Sequence, residues 1–291
     1  MNGTSRRATV IAIGNQKGGT GKSTVTVHLA AALGLVGKRC LIIDLDPAAG
    51  ATRHLGVQVN TYAGTLELLT TDEPLESLVI TRNMPRGVEL IAARPQLAEI
   101  ESSLSRFLDR TRLLDRALAE ARTMYDYILL DTSPSAGFTT TVAAYASSEW
   151  FLLTAFPHPL SLAGLNEAFR DIADVRRLRN PSLEIVGVLL NNVDKRARKL
   201  RAQIESALAV AVPGRVFQTV ITQAVAIPDA SGRGCTVFEL TDSEHLPSSH
   251  QFLDLAWEIT HRVAHREQFI RGELMPAIDP GATHGRPRLV A

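Results

Sequence analysis

Six short apolar runs punctuate the chain: Thr9–Ile13, Cys40–Asp44, Val88–Ala92, Tyr127–Asp131, Trp150–Ala155 and Ile185–Leu190. Several are apolar on successive rather than alternate positions, as strands buried on both faces of a parallel sheet require. Between them lie stretches with helical spacing, over Lys22–Val36, Leu97–Ala121, Phe138–Ser147, Ser161–Leu178 and Ala197–Ala211. Leu104, Phe107 and Leu108, then Leu114 and Leu118, recur at steps of three or four and mark one buried helix face. This alternation predicts an α/β doubly wound sheet, mostly parallel and flanked by helices. Its crossovers should be right-handed, with any ligand at the carboxyl ends of the strands. A last helix is expected over Ser249–Arg271. No composition break separates domains, so the expected layout is a flexible stretch over 1–8, one domain over 9–272 and a disordered tail over 273–291. The tail is rich in Pro, Gly and Arg.

Composition narrows the partners. Of 291 residues, 45% are apolar and 21% charged, ordinary values for a globular chain. The net charge of +1 means that attraction to nucleic acid or acidic lipid must come from a local patch. Lysine is scarce, and Lys17, Lys22, Lys38, Lys195 and Lys199 are the whole set. Two of these fall in a glycine-rich loop and two in a basic cluster. Cys40 and Cys235 stand far apart, which excludes metal-type spacing and a disulfide framework and points to a reducing compartment. The first residues lack an apolar signal core, and no apolar run reaches the roughly 18 residues of a membrane span. A cytoplasmic protein is expected.

The glycine-rich segment Asn15-Gln16-Lys17-Gly18-Gly19-Thr20-Gly21-Lys22-Ser23-Thr24 follows an apolar strand and opens an apolar helix. Glycines let successive backbone N–H groups turn around a phosphate, and a helix N-terminus adds partial positive charge. Lys22 is placed to span the β- and γ-phosphates of a nucleotide, and the Ser23 hydroxyl to ligate Mg²⁺. Gln16 stands where the general G-x-x-x-x-G-K-[ST] pattern has its first glycine, and Lys17 adds a second lysine to the loop. Two lysines at one strand–turn–helix junction repel each other unless an anion lies between them.

Two further strands end in acids. Leu41-Ile42-Ile43-Asp44-Leu45-Asp46-Pro47 puts Asp44 and Asp46 on the same side of an extended chain. Tyr127-Ile128-Leu129-Leu130-Asp131-Thr132-Ser133-Pro134 reads as a Walker B strand. A lone aspartate at a strand end is most often a helix cap or a solvated loop residue. Three of them following a phosphate loop favour a shared functional role over three separate caps.

The loop K-G-G-T-G-K-S resembles the deviant Walker A motif of the ParA/MinD family of ATPases, and most of all that of ParA (Soj-like) partition ATPases. The resemblance runs from about Val10 to Ile270. It implies an ATP-sandwich homodimer in which Lys17 reaches across to the partner's nucleotide. ATP and Mg²⁺ are the implied cofactors, with contacts from Lys17, Gly18, Gly19, Thr20, Gly21, Lys22, Ser23 and Thr24. It gives Lys17, Lys22 and Asp44 catalytic roles, Asp44 orienting or deprotonating the attacking water. Ser23, Asp46 and Asp131 hold the Mg²⁺ shell, and Thr132–Gly137 senses the γ-phosphate. Ala48 stands where the family often has Gln, and Ser133 replaces the first proline of D-x-P-P.

In the C-terminal half, Asn191 ends an apolar strand, and its amide suits an adenine edge as well as a turn. By resemblance Asn191 and Pro228 contact the base. Lys195, Arg196, Arg198, Lys199 and Arg201 crowd the start of a helix, where cations oppose the helix dipole. Either solvent or an external anion satisfies them. The family uses such residues to hold nonspecific double-stranded DNA by its phosphates. Gln223 falls where relatives tend to carry Arg, so DNA binding must lean on this cluster, Arg215 and Arg233.

The expected function is therefore a nucleoid-associated ATPase that partitions or positions a chromosome, a plasmid or a protein assembly through a ParB-like or other adaptor. Three rivals share the scaffold. A MinD-like membrane-cycling protein needs an amphipathic terminal helix, whereas His250–Arg271 carries charges throughout. A nitrogenase iron protein relative needs cysteines near the switch loop. A metabolic P-loop enzyme does not need the early lysine. No operator-binding helix-turn-helix is expected ahead of the loop.

Overall fold

The computed structural model describes residues 7–99, 112–134, 139–157, 159–241 and 245–275. Seven strands form one sheet: β1 (Thr9–Gly14), β2 (Cys40–Asp44), β3 (Val88–Ile91), β4 (Tyr127–Asp131), β5 (Trp150–Ala155), β6 (Glu184–Val193) and β7 (Val216–Thr222). Their order is β3-β2-β4-β1-β5-β6-β7, and every neighbouring pair is parallel. The six apolar runs are β1 to β6. β7 escapes the apolar-run signal because it is an edge strand in which Gln218 faces solvent and the other residues alternate in burial.

The helices are α1 (Lys22–Leu35), α2 (Gly50–His54), α3 (Thr65–Thr70), α4 (Leu75–Leu78), α5 (Asp115–Met124), α6 (Thr139–Ser147), α7 (Pro159–Leu178), α8 (Arg198–Ala211), α9 (Ala226–Gly232), α10 (Leu246–Ala264) and α11 (Arg266–Arg271). α2, α3 and α4 are too short to leave a helical period in the sequence. Of the helix expected over Leu97–Ala121, residues 96–99 are helical and α5 covers the stretch from Asp115, while 100–111, with Leu104, Phe107 and Leu108, lie outside the described residues. The last helix is broken at His265 into α10 and α11. Of the expected tail, 276–291 lies outside the described residues, as does most of 1–8.

Alternate faces of the sheet feed two cores. One packs Val10, Leu41, Ile128 and Leu153 against Leu118, Tyr145, Leu165 and Ile204 of α5 to α8. The other packs Ile11, Ile42, Leu129 and Leu152 against α1 and α10 through Leu29, Leu33, Phe252 and Ile259. Burial on both faces explains why these strands read as continuous apolar runs. α1 is buried at every position from Val25 to Gly34, because the sheet, α2 and α10 enclose it. That burial fixes the helix whose first turn carries Lys22 and Ser23.

Candidate active site

β1 runs into the glycine loop at the carboxyl edge of the sheet, where a doubly wound fold binds ligands. Gly19 and Gly21 have φ of 76° and 82°, a left-handed region that other residues resist. A side chain on Gly21 would also collide with Asn191, whose Nδ2 lies 2.1 Å from the Cβ position. The loop is fastened from below. Buried Asn15 donates from Nδ2 to the Thr154 carbonyl (2.6 Å), and its Oδ1 accepts the Lys17 N–H (2.9 Å). Thr154 Oγ1 donates to Thr20 Oγ1 (3.0 Å), and Asn191 Nδ2 donates to the Thr20 carbonyl (3.0 Å). Thus β5 and β6 hold the loop's inner side, while Lys17, Gly18 and Gly19 stay exposed. α1 starts with no side-chain cap and no acid in its first turn. Its free N–H groups and dipole suit an anion.

Lys22 is buried at the start of α1. Burial lowers its pKa, and the charges of Asp131 and Asp46 act in the opposite direction. Asp44 and Asp131 are register partners on β2 and β4, both fully buried. Asp44 Oδ2 accepts the Thr52 N–H (2.9 Å) and hydroxyl (2.7 Å), and Oδ1 accepts the Asp46 N–H (3.1 Å). Asp44 therefore fastens the first turn of α2 to the end of β2, beside Asp131. Thr52 Oγ1 in turn accepts the Ala93 N–H (2.9 Å), tying this arrangement to the end of β3. Burial, and then repulsion from Asp131, raises the Asp44 pKa, with the Thr52 and Asp46 donors opposing.

Asp131 accepts from Thr26 Oγ1 (3.2 Å) through Oδ1, while its Oδ2 is buried without a hydrogen-bond partner. Burial raises its pKa as well, Ser23 and Lys22 lower it, and Asp46 raises it. Gly50 packs so closely on Ser23 that a Cβ there would lie 2.3 Å from the hydroxyl oxygen. An orphaned carboxylate oxygen, a hydroxyl and a half-buried carboxylate converge here. This hard oxygen set fits Mg²⁺, which takes one or two carboxylates and fills the rest of its shell with water and phosphate.

The structure thus brings together Lys22, Ser23, Asp44, Asp46 and Asp131, with Lys17 at the exposed lip. Asn191 lies directly beneath the loop, where one amide donor is committed to Thr20 rather than left for a base. Pro228 is exposed on α9, a short helix packed on α2. Of the expected switch segment, 135–137 lies outside the described residues. Thr132 bonds the Ile13 carbonyl (2.9 Å) and the Tyr145 side chain. Asn15, Thr52 and Thr154 went unnoticed in the sequence. Only Asn15 carried a signal, a polar residue directly after a fully apolar strand.

The basic cluster sits where β6 leaves the same carboxyl edge. Lys195, Arg196, Arg198 and Lys199 are exposed. Arg196 folds back on Asp194 (3.1 Å) and Arg201 pairs with Glu205 (2.7 Å), so two of the five cations are internally compensated. Arg215 proves to be a structural residue. It lies at the start of β7, at the opposite edge of the sheet, bonds the Ile185 and Ile270 carbonyls and stacks over Phe269 at 4.2 Å. Arg233 is paired with Asp229 (2.9 Å).

A parallel sheet with a glycine loop after β1 and acids ending β2 and β4 defines a P-loop nucleotide-hydrolase scaffold. An AAA domain family model matches residues 8–185, more than half of the chain. The chromosome-partitioning ATPase Soj of Thermus thermophilus is 35% identical over 87% of this chain and 96% of its own length. The chromosome partitioning protein ParA of Caulobacter vibrioides is 32% identical over 89% and 96%. Among solved structures, the ATP complex of a McdA variant from Cyanothece matches with a TM-score of 0.77 at 20% identity, over 87% of this chain and 96% of that one, and so supports the fold. The chain belongs to the ParA/Soj/MinD family of ATPases. Among the described residues, no helix is long and apolar enough to cross a membrane.

Proposed function

We propose that this chain is a ParA-like switch that dimerises around ATP, binds nonspecific duplex DNA as the dimer, and releases it on hydrolysis to partition or position a cargo. The observation that carries this reading is Lys17. It is solvent-exposed at the rim of a phosphate loop that is otherwise fastened from below, as a residue destined for a second copy's nucleotide should be. The loop amides and Lys22 bind and orient the β- and γ-phosphates. Ser23, Asp46 and Asp131 would hold Mg²⁺, which when bound neutralises charge on those phosphate oxygens. Asp44, held by Thr52, orients the attacking water and accepts its proton as the γ-phosphoryl group passes to that water. The products are ADP and phosphate. Turnover is slow until a ParB-like or other adaptor engages. The uncompensated cations Lys195, Arg198 and Lys199 grip DNA phosphates, which fits a protein that works over the nucleoid in the cytoplasm.

A mobility-shift experiment on nonspecific duplex DNA, run without nucleotide, with ADP and with ATP, tests switch and partner together. Retardation with ATP alone is expected. Equal retardation in all three lanes would remove the nucleotide switch from the reading.

A further inference from the structure

Three contacts converge on the residue that the proposed dimer depends on. The Lys17 N–H is held by Asn15 Oδ1 (2.9 Å), and its carbonyl accepts a long bond from Thr20 Oγ1 (3.4 Å). The third contact is made by its predecessor. Gln16 Nε2 donates to Oδ2 of Asp171, midway along α7 and far away in sequence. Asn15 faces inward to β5 and Gln16 sideways to α7, so the lysine alone of the three projects into solvent.

The acid on α7 is not an incidental surface charge. Asp171 is partly buried, and burial together with the charges of Asp174 and Glu167 works against its ionisation, while the Gln16 amide favours it. Charge on such a carboxylate is costly, and its hydrogen-bond partner is a neutral amide rather than either loop lysine. A direct Lys17–Asp171 pair would neutralise the ammonium and draw it back onto its own subunit. A hydrogen bond through Gln16 holds the backbone while leaving the charge free.

We propose that Gln16 and Asp171 are positioning residues. Asp171 anchors Gln16 to α7 and thereby sets Lys17 outward for the nucleotide of a second copy of this chain. The proposal rests on the reading of Lys17 given above. It also makes α7 a route by which a partner bound on its outer surface alters dimerisation without touching the phosphate site.

The test uses the full chain. ATP-dependent dimerisation is read by sedimentation, ADP affinity by a fluorescent analogue, and folding by thermal melting. Asp171→Ala removes the acceptor, and Gln16→Glu sets two carboxylates face to face. Each is expected to weaken the ATP dimer about tenfold, the worth of one charge-assisted hydrogen bond, with ADP affinity and melting unchanged. The double variant Gln16→Glu/Asp171→Asn restores a donor–acceptor pair in reverse and should recover dimerisation, which a general packing defect would not. Single variants that dimerise like the unmodified protein, or a double variant as weak as Gln16→Glu alone, overturn the proposal. Lys17→Ala run in parallel separates the two levels. If it is monomeric while the single variants dimerise normally, only the tether fails. If it dimerises normally, the reading of Lys17 falls and the tether with it.

Discussion

Asp44, the last residue of β2, and Asp131, the last residue of β4, are register partners in adjacent parallel strands, so two fully buried carboxylates stand side by side at the ligand edge of the sheet. Their mutual repulsion adds to burial in raising the Asp44 pKa, and burial raises that of Asp131. Such a pair is costly unless cations neutralise it. Lys22 supplies one cation, and the orphaned Oδ2 of Asp131 is the natural seat for a second. The two acids also divide their work. Asp44 is enclosed by donors from Thr52 and Asp46, whereas Asp131 leaves an oxygen open beside Ser23.

That division predicts different outcomes for two changes at one position. Asp44→Asn still offers an acceptor to Thr52 and should fold normally, yet lose turnover by about a hundredfold or more for want of a proton acceptor, trapping an ATP dimer. Asp44→Ala should show the same trap together with a melting loss worth roughly 1–3 kcal/mol, because the buried Thr52 N–H loses its partner. Steady-state phosphate release, sizing with ATP and thermal melts read all three. A purely monomeric Asp44→Asn protein with ATP would show that Asp44 has another role.

Lys22→Ala should abolish ATP binding. It removes the loop's buried cation and leaves Asp46 and Asp131 without their nearby positive charge. Calorimetry that still finds micromolar ATP affinity would disprove the loop assignment.

The sheet was legible because strands buried on both faces must be apolar at every position, which made β1 to β6 conspicuous. The chemistry was legible wherever it lay next to a strand end, as Lys22, Asp44 and Asp131 do. What stayed hidden was tertiary. Thr52 bonds Asp44 because α2 turns back after Pro47, and α2 is only five residues long. Thr154 and Asp171 meet the loop from β5 and α7, across more than 130 residues of sequence. Arg215 resembles Arg198 in the sequence, and only the position of β7 shows that it faces the wrong edge and is spent on Phe269.

A third prediction concerns pH. His28, within α1, accepts the Val237 N–H at Nε2 (3.2 Å), so Nδ1 carries the proton donated to the Thr24 carbonyl (2.8 Å). The ring stacks on Phe252 at 4.5 Å and meets His54 edge-on at 5.0 Å. Burial, then the His54 charge, lowers its pKa from 6.5 to about 3. The neutral ring's contribution is thus complete above 6.5 and is lost as pH falls from there toward about 3, where only the unfolded chain takes the proton. His54, lowered to about 4, acts in the same sense, whereas the raised Asp44 and Asp131 act in the opposite one. Comparison with His28→Leu cancels the acids. The stability gap between the two proteins should narrow by about 1.4 kcal/mol from about pH 7.5 to about 5.5 in urea unfolding. A gap independent of pH would mean that His28 takes up its proton as readily in the fold as in the unfolded chain.

Gly50→Ala probes the metal position. Its Cβ would lie 2.3 Å from Ser23 Oγ and 3.9 Å from Asp131 Oδ2, so the hydroxyl must swing away. Nucleotide binding without metal should persist, while the Mg²⁺ needed for half-maximal hydrolysis rises roughly tenfold, the worth of one metal-oriented polar contact. An unaltered Mg²⁺ titration would place the ion away from Ser23.

The basic cluster gives the sharpest separation of roles, because the ion pairs sort its members. Arg196 is held by Asp194 and Arg201 by Glu205, while Lys195, Arg198 and Lys199 are exposed without a carboxylate partner among the described residues. All three lie at the uncapped start of α8, where the dipole is unfavourable to cations and a phosphate would relieve it. Replacing these three with Gln should therefore weaken ATP-dependent DNA binding more than replacing Arg196 and Arg201. Each DNA phosphate left unneutralised takes about 0.9 from the slope of log affinity against log salt, so the triple variant should flatten it by about 2.7 for each protomer of the dimer that grips DNA. Affinities measured over a salt series decide the matter. A weaker affinity with an unchanged slope would mean that the cluster acts on dimerisation and that DNA is gripped elsewhere.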